Sequence, residues 1–132
     1  MKIFEIDGEC FSTLEEFYDE IDRVMSLAPW GRNLNAFNDI LRGGFGTPAE
    51  GFVIRWNNHG ISKERLGYTE TIRQIESQLE RCHPANRASM SKDLENAKAH
   101  NGTTVFDWLV EVIRVHGRGG EEEQDAVDLL LE

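Results

Sequence analysis

The sequence predicts a small α/β protein in which a three-stranded parallel sheet packs against helices, and three observations predict it. Three short apolar segments, 2–6, 51–56 and 126–131, have the composition of strands. Amphipathic segments with helical spacing separate them. Strands that alternate with helices pair in parallel, because parallel neighbours need a crossover connection. No linker or repeat divides the chain, so residues 1–132 are expected to form one domain.

The first half of the chain contains a strand and two helices with clear start signals. Strand 2–6 ends at the turn pair Asp7-Gly8. The next helix begins at Ser12 or Thr13, since each residue has a glutamate three positions later and satisfies the capping-box pattern. A second helix is predicted over 34–42, with Asn33 as the N-cap.

The second half is more helical. A glycine-rich loop precedes the strand at 51–56, and a polar helical segment then runs from 62 to 100. It makes an enlarged helical segment between the second and third strands. A further amphipathic helix is predicted over 104–115, with Glu111 facing outward, and 126–131 forms the last strand, although its leucines also suit a helix.

Charge and composition exclude several classes of function. The 132 residues carry a formal net charge of −10, while 39% are hydrophobic and seven are Phe, enough for a real core and against wholesale disorder. The acidic excess lies in residues 1–50 and 117–132. Such a surface repels nucleic acid and anionic lipid and attracts a basic protein, although a solvated acidic face is equally compatible with it. The acidic run 121–123 is expected to form a solvated loop.

The sequence offers no metal, cofactor or membrane signal. Cys10 and Cys82 are too few and too far apart for a disulfide framework or a zinc site, and no His-x3-His spacing supports a metal. His116 is expected at a helix end, where it suits the helix dipole. Without a signal peptide or a spanning segment, the chain is expected to be cytoplasmic and, when free, monomeric.

One stretch carries a family resemblance. Residues 30–39, Trp-Gly-Arg-Asn-Leu-Asn-Ala-Phe-Asn-Asp, resemble the Tyr-Gly-x-Asn-Leu-Asp-Ala-Leu-x-Asp helix start of the barstar family of intracellular ribonuclease inhibitors. The strand 53–56, which ends in Trp, is similar to the central strand of that family. The resemblance covers 1–57 well and 103–132 loosely, so 58–102 is interpreted as a helical insertion.

The resemblance implies a protein partner, namely a basic ribonuclease or another nuclease, and no enzyme activity. Members of the family present an acidic helix and loop whose carboxylates replace substrate phosphates among Arg, Lys and His side chains. Asp39 matches the principal anionic anchor, and Glu111 aligns with a contributing glutamate on a later helix. Asp39 could equally be a solvated acid, or pair with Arg42 or Arg32.

Six further residues complete the partner-binding set that the resemblance implies. Asn35 stands where the family has a second aspartate, and Asn38 replaces an aromatic residue. Because Asn35 leaves a partner cation unpaired, weak binding to barnase itself is expected. Gly43 matches the family, and Phe45 or Gly44 falls near its loop tryptophan. Trp30 and Arg32 flank the helix start.

Two other functions remain open. The first is a non-inhibitory interaction or regulatory module on the same fold, favoured by Asn35, Asn38 and the segment 58–102. The second is a small enzyme that uses Asp39, Glu111 and His116 as an acid/base group, although nothing in the sequence brings these three together.

Overall fold

The fold is that of a computed structural model, which describes residues 1–43, 46–48 and 50–132. Strands β1 (Ile3–Asp7), β2 (Phe52–Asn57) and β3 (Val127–Leu131) form one sheet in the order β1-β2-β3. Both pairs are parallel, and Ile54 of β2 lies opposite Phe4 and Leu129. The three-stranded parallel sheet and the strand at the end of the chain are therefore confirmed.

Helices of the described residues cover the sheet and connect its strands. Two lie between β1 and β2, and four lie between β2 and β3, which confirms the enlarged helical segment at this point. Their bounds are α1 Leu14–Met25, α2 Leu34–Leu41, α3 His59–Arg65, α4 Tyr68–Arg81, α5 Arg87–Lys98 and α6 Val105–Val115. No helix among the described residues has the length and apolarity required to cross a membrane.

The helix starts follow the capping chemistry of the sequence. Thr13, not Ser12, is the N-cap of α1, and its hydroxyl accepts from the Glu16 N–H at 3.1 Å. The Asn33 side chain accepts from the Ala36 N–H at 2.8 Å and so starts α2. Thr104 forms a complete capping box at the start of α6.

The core lies between the helices and one face of the sheet. Trp56 of β2 is fully buried at its centre, with its ring 5.4 Å from Phe17 of α1 and 5.2 Å from Phe106 of α6. Its indole N–H donates to the Ser62 hydroxyl at 2.9 Å, so the one polar atom of the ring is satisfied. Trp56 is therefore a packing residue of the core.

Two buried polar side chains join α4 to its neighbours. The carboxylate of Glu70 accepts from the N–H of Leu14, the first residue of α1, at 2.8 Å. The hydroxyl of Thr71 accepts from the N–H of Val105, the first residue of α6, at 2.9 Å. The first amides of a helix have no intrahelical partners. Helix α4 supplies acceptors to the first amides of α1 and α6, and these two hydrogen bonds attach it to both helices.

Candidate partner-binding site

Asp39 lies near the end of α2, with 56% of its side chain exposed. Its carboxylate accepts from Arg42 at 3.0 Å. Arg42 also donates to both oxygens of Glu122, at 2.8 and 3.1 Å. Of the alternatives for Asp39, the ion pair with Arg42 is therefore present, and the carboxylate still faces solvent.

The ion pair between Arg42 and Glu122 attaches the acidic loop after α6 to the end of α2. The hydrogen bond from Arg42 holds the pKa of the Glu122 carboxyl below its usual range. Glu123 accepts from the Gly119 N–H at 2.9 Å. The expectation of a solvated loop over 121–123 is wrong for Glu122, because that carboxylate is bound to α2.

His116 ties the inner side of α2 to the chain that leads into β3. The residue ends α6 and is fully buried, with Nδ1 2.6 Å from a carboxylate oxygen of Asp125 and Nε2 2.6 Å from Oδ1 of Asn38. Its carbonyl oxygen accepts from the Val127 N–H of β3 at 2.9 Å. The helix-end position is as expected, but the burial is not, since nothing local in the sequence marks this histidine as internal.

Three ligand-type groups meet at the same place. Atoms of His116, Glu122 and Asp125 lie within 4.8 Å of one another, a spacing that suits a metal ion. Both ring nitrogens of His116 already have partners, and Glu122 is engaged by Arg42. A metal ion would have to displace these contacts. The three side chains are therefore better described as part of a hydrogen-bond network that holds α2 in place.

Trp30 and Arg32 lie before α2 and are held by α1. The indole N–H of Trp30 donates to Asp22 at 2.6 Å, and its ring meets Tyr18 edge-on at 5.2 Å. Arg32 forms ion pairs with Asp19 and Asp22, not with Asp39. These contacts hold the segment before α2 against α1. Asp19 and Asp22 of α1 therefore lie next to the start of α2.

The remaining predicted positions divide into three groups. Asn35 is exposed one helical turn before Asp39, and Gly43 ends the helix at φ 104° with its N–H donated to the Ile40 carbonyl at 3.1 Å. The side chain of Asn38 points inward to His116. Phe45 lies outside the described residues.

Glu111 is exposed on α6, as expected, and it lines a hollow at the end of that helix. That hollow, of about 610 Å³, lies between the end of α6, the glycine-rich loop 117–120 and β3. Within the part of the chain that the structure describes, no hydrogen bond or ion pair joins Glu111 to α2 or to His116. The structure therefore places Asn35 and Asp39 on α2 and Gly43 just after it, whereas Glu111 lines the hollow beside β3.

A family comparison identifies the chain. No curated protein sequence is significantly similar to it. The family model described as Barstar (barnase inhibitor) matches residues 1–89, which include β1, β2 and all of α2. The match covers most of the chain, and the chain belongs to the barstar family.

Proposed function

We propose that the protein binds and inhibits a basic ribonuclease, with the exposed face of α2 inserted among the cationic groups of the active site. The observation that carries the proposal is Asp39, a half-exposed carboxylate within the matched residues 1–89. The sequence resemblance aligns it with the family's principal anionic anchor. A carboxylate presented on a rigid helix can replace a substrate phosphate among Arg, Lys and His side chains.

The surroundings of Asp39 support this role in two ways. The helix is braced from behind by the contact between Asn38 and His116, so little order has to be gained on binding. The net charge of −10 attracts a basic enzyme over a long range. Five further residues of the predicted set would form the rim of the interface: Trp30, Arg32, Asn35, Gly43 and Phe45.

Glu111 is proposed as a secondary contact. Its exposure on α6 allows a large partner to reach it, and it shares no hydrogen bond or ion pair with Asp39 among the described residues. We further propose that the protein acts in the cytoplasm as an immunity protein or antitoxin, is monomeric when free, and has no catalytic activity of its own.

A second candidate function is a non-inhibitory interaction module. Asn35 supports it, because a neutral amide at an exposed position of α2 removes one of the charges that inhibition would use. An enzyme that uses Asp39, Glu111 and His116 has less support. The ring of His116 is occupied by Asn38 and Asp125, and neither proposed acid contacts it within the described residues.

Isothermal titration calorimetry against a set of barnase-like ribonucleases, including any ribonuclease encoded beside this gene, tests the proposal. We expect one of them to bind with one-to-one stoichiometry and Asp39→Ala to weaken that binding strongly. Asp93→Ala is the matched control, because Asp93 is an exposed aspartate on α5. Absence of binding to every ribonuclease, or unchanged binding by Asp39→Ala, would contradict the proposal.

A further inference from the structure

Strand β3 forms one edge of the sheet, and half of its backbone groups point outward from that edge. The Phe52 N–H of β2 donates to the Ala126 carbonyl at 3.2 Å, and the two strands are parallel. The even-numbered residues of β3 therefore direct their backbone groups toward β2. The odd-numbered residues Val127, Leu129 and Leu131 direct theirs away from the sheet.

The outward groups are covered at the beginning of β3 and open after it. The Val127 N–H donates to the His116 carbonyl at 2.9 Å, and a Cβ added to Gly117 would lie 2.6 Å from the Val127 carbonyl oxygen. The N–H and C=O groups of Leu129 and Leu131 have no hydrogen-bond partner among the described residues. These four groups can therefore pair with another strand.

The hollow of about 610 Å³ beside β3 adjoins this open part of the edge, because Leu129 lines it. Its charged lining is acidic in sum, with three carboxylates against two guanidinium groups: Glu111, Glu121, Asp128, Arg114 and Arg118. Next to it, the side chain of Leu130 is 41% exposed. An added strand would thus find room, apolar contact and an excess of negative charge.

Two carboxylates flank Leu130. Side chains alternate along a strand, so Asp128 and Glu132 lie on the same face as Leu130, and both are exposed. Arg55 lies 3.9 Å from Glu132 but donates to Glu5 at 2.9 Å. Asp128 has no ion pair within the described ranges 1–43, 46–48 and 50–132.

These carboxylates determine which strand the edge accepts. If two copies of the chain paired antiparallel through all four free groups, Asp128 of each copy would lie opposite Glu132 of the other. Like charges directly opposite each other destabilise a strand pair, whereas opposite charges stabilise it. The edge therefore disfavours a second copy and favours a strand with Lys or Arg at both of these positions.

We propose that the outer edge of β3 is a docking site for an extended segment of a protein partner in which basic and apolar residues alternate. The segment pairs antiparallel with residues 128–132 and exchanges four backbone hydrogen bonds with Leu129 and Leu131. Its basic side chains lie opposite Asp128 and Glu132, and an apolar side chain between them meets Leu130. This site goes beyond ribonuclease inhibition through α2 and does not depend on it.

The test uses the full chain and a defined probe. The ¹⁵N-labelled protein is titrated with a disulfide-closed β-hairpin peptide whose outer strand is Lys-Val-Leu-Val-Lys, with both valine N–H groups directed outward. We expect saturable NMR shifts of the Leu129 and Leu131 amides. The amides of Ile3 and Glu5, on the strand at the opposite edge of the sheet, should not shift.

Two further hairpins separate backbone pairing from charge attraction. A hairpin with both valines N-methylated keeps the charges but loses the two donors, and it should bind at least about tenfold more weakly. A hairpin with Glu in place of both Lys residues keeps the donors but reverses the charges, and it should not bind detectably.

A double variant of the protein tests the two carboxylates. The combination of Asp128→Asn and Glu132→Gln should weaken binding of the basic hairpin about fivefold. The combination of Asp93→Asn and Glu95→Gln is the matched control, because it changes the net charge equally at exposed positions of α5 and should leave binding unchanged.

Several results would overturn the proposal. They are absence of shifts at Leu129 and Leu131, equal binding of the N-methylated hairpin, and equal weakening by the two double variants. A dimer of the protein in sedimentation velocity that is broken by Leu130→Lys would also overturn it, because a second copy would then occupy the edge. None of these results bears on whether Asp39 meets a ribonuclease.

Discussion

The Nε2 atom of His116 lies 2.6 Å from the Oδ1 atom of Asn38, and this contact joins the end of α6 to α2. The opposite nitrogen of the same ring meets Asp125 at 2.6 Å. One fully buried side chain therefore links the proposed binding helix to the segment that enters β3. The orientation of the outer face of α2 depends on this link, because Asn38 directly precedes Asp39.

Replacement of His116 should destabilise the protein. His116→Ala leaves the partly buried side chains of Asn38 and Asp125 without their partner and removes a fully buried ring, and we expect a loss of about 2–4 kcal/mol in the free energy of unfolding. Urea denaturation followed by circular dichroism measures it. His83→Ala is the control, since His83 is exposed and its replacement should cost less than about 1 kcal/mol. Equal losses for the two variants would show that the contacts of His116 with Asn38 and Asp125 do not stabilise the fold.

Loss of the Thr71 hydroxyl should loosen α4 from α6. Thr71→Val keeps the shape of the side chain but removes the acceptor for the Val105 N–H, and we expect a cost of about 1–3 kcal/mol. Thr69→Val is a matched control on the same helix, because Thr69 is exposed. Thermal unfolding distinguishes them. If Thr71→Val is as stable as the control, the hydroxyl does not anchor α4.

Acid should destabilise the fold through carboxylates such as Glu20. Burial alone would raise the pKa of this carboxyl, but hydrogen bonds from Arg23 and from the Asp7 N–H outweigh burial and hold the pKa below its ordinary value of 4.5. The unfolded chain therefore binds a proton more readily than the folded one. The stabilisation is complete above about pH 4.5 and is lost as the pH falls through the lowered pKa.

Urea denaturation between pH 7 and pH 3 checks this expectation. The free energy of unfolding should fall on the acid side of pH 4.5, and Glu20→Gln should make that fall shallower because the residue no longer titrates. Glu95→Gln, which removes an exposed carboxylate of α5, should leave the slope unchanged. The same slope in Glu20→Gln and the parent would show that Glu20 contributes no pH dependence.

Salt should slow association with a basic ribonuclease. If long-range attraction by the acidic surface brings the two proteins together, the association rate should fall about tenfold between about 20 and 300 mM salt. The dissociation rate should change much less, since short-range contacts determine it. Stopped-flow measurements separate the two rates. An association rate that does not depend on salt would mean that the net charge plays no part in binding.

Local chemistry made much of the fold predictable. The side chain of Asn33 and the capping box at Thr104 determine where α2 and α6 begin, and both patterns are short-range. Glu70 and Thr71 could not be foreseen, because their acceptors serve the starts of helices that are 56 and 34 residues away along the chain. A polar residue in a helix is indistinguishable from a solvated one until its distant partner is known.

In the candidate site, the exposed positions of α2 were predictable from the sequence, but the long-range contacts were not. The exposure of Asp39 and Asn35 on one face of α2 follows from helical spacing. The burial of His116 does not, since it depends on contacts with residues 78 positions earlier and 9 positions later. Glu122 was also missed, because its partner Arg42 lies 80 residues away in the sequence.

A ribonuclease inhibition titration tests whether the protein inhibits a ribonuclease through Asp39. Increasing amounts of the parent protein, Asp39→Ala and Asp93→Ala are added to each barnase-like ribonuclease, and RNA cleavage is measured. We predict that at least one enzyme is inhibited at one-to-one stoichiometry by the parent and by Asp93→Ala, while Asp39→Ala requires roughly a hundredfold higher concentration. Uninhibited cleavage by every enzyme, or equal inhibition by Asp39→Ala and the parent, would contradict the account.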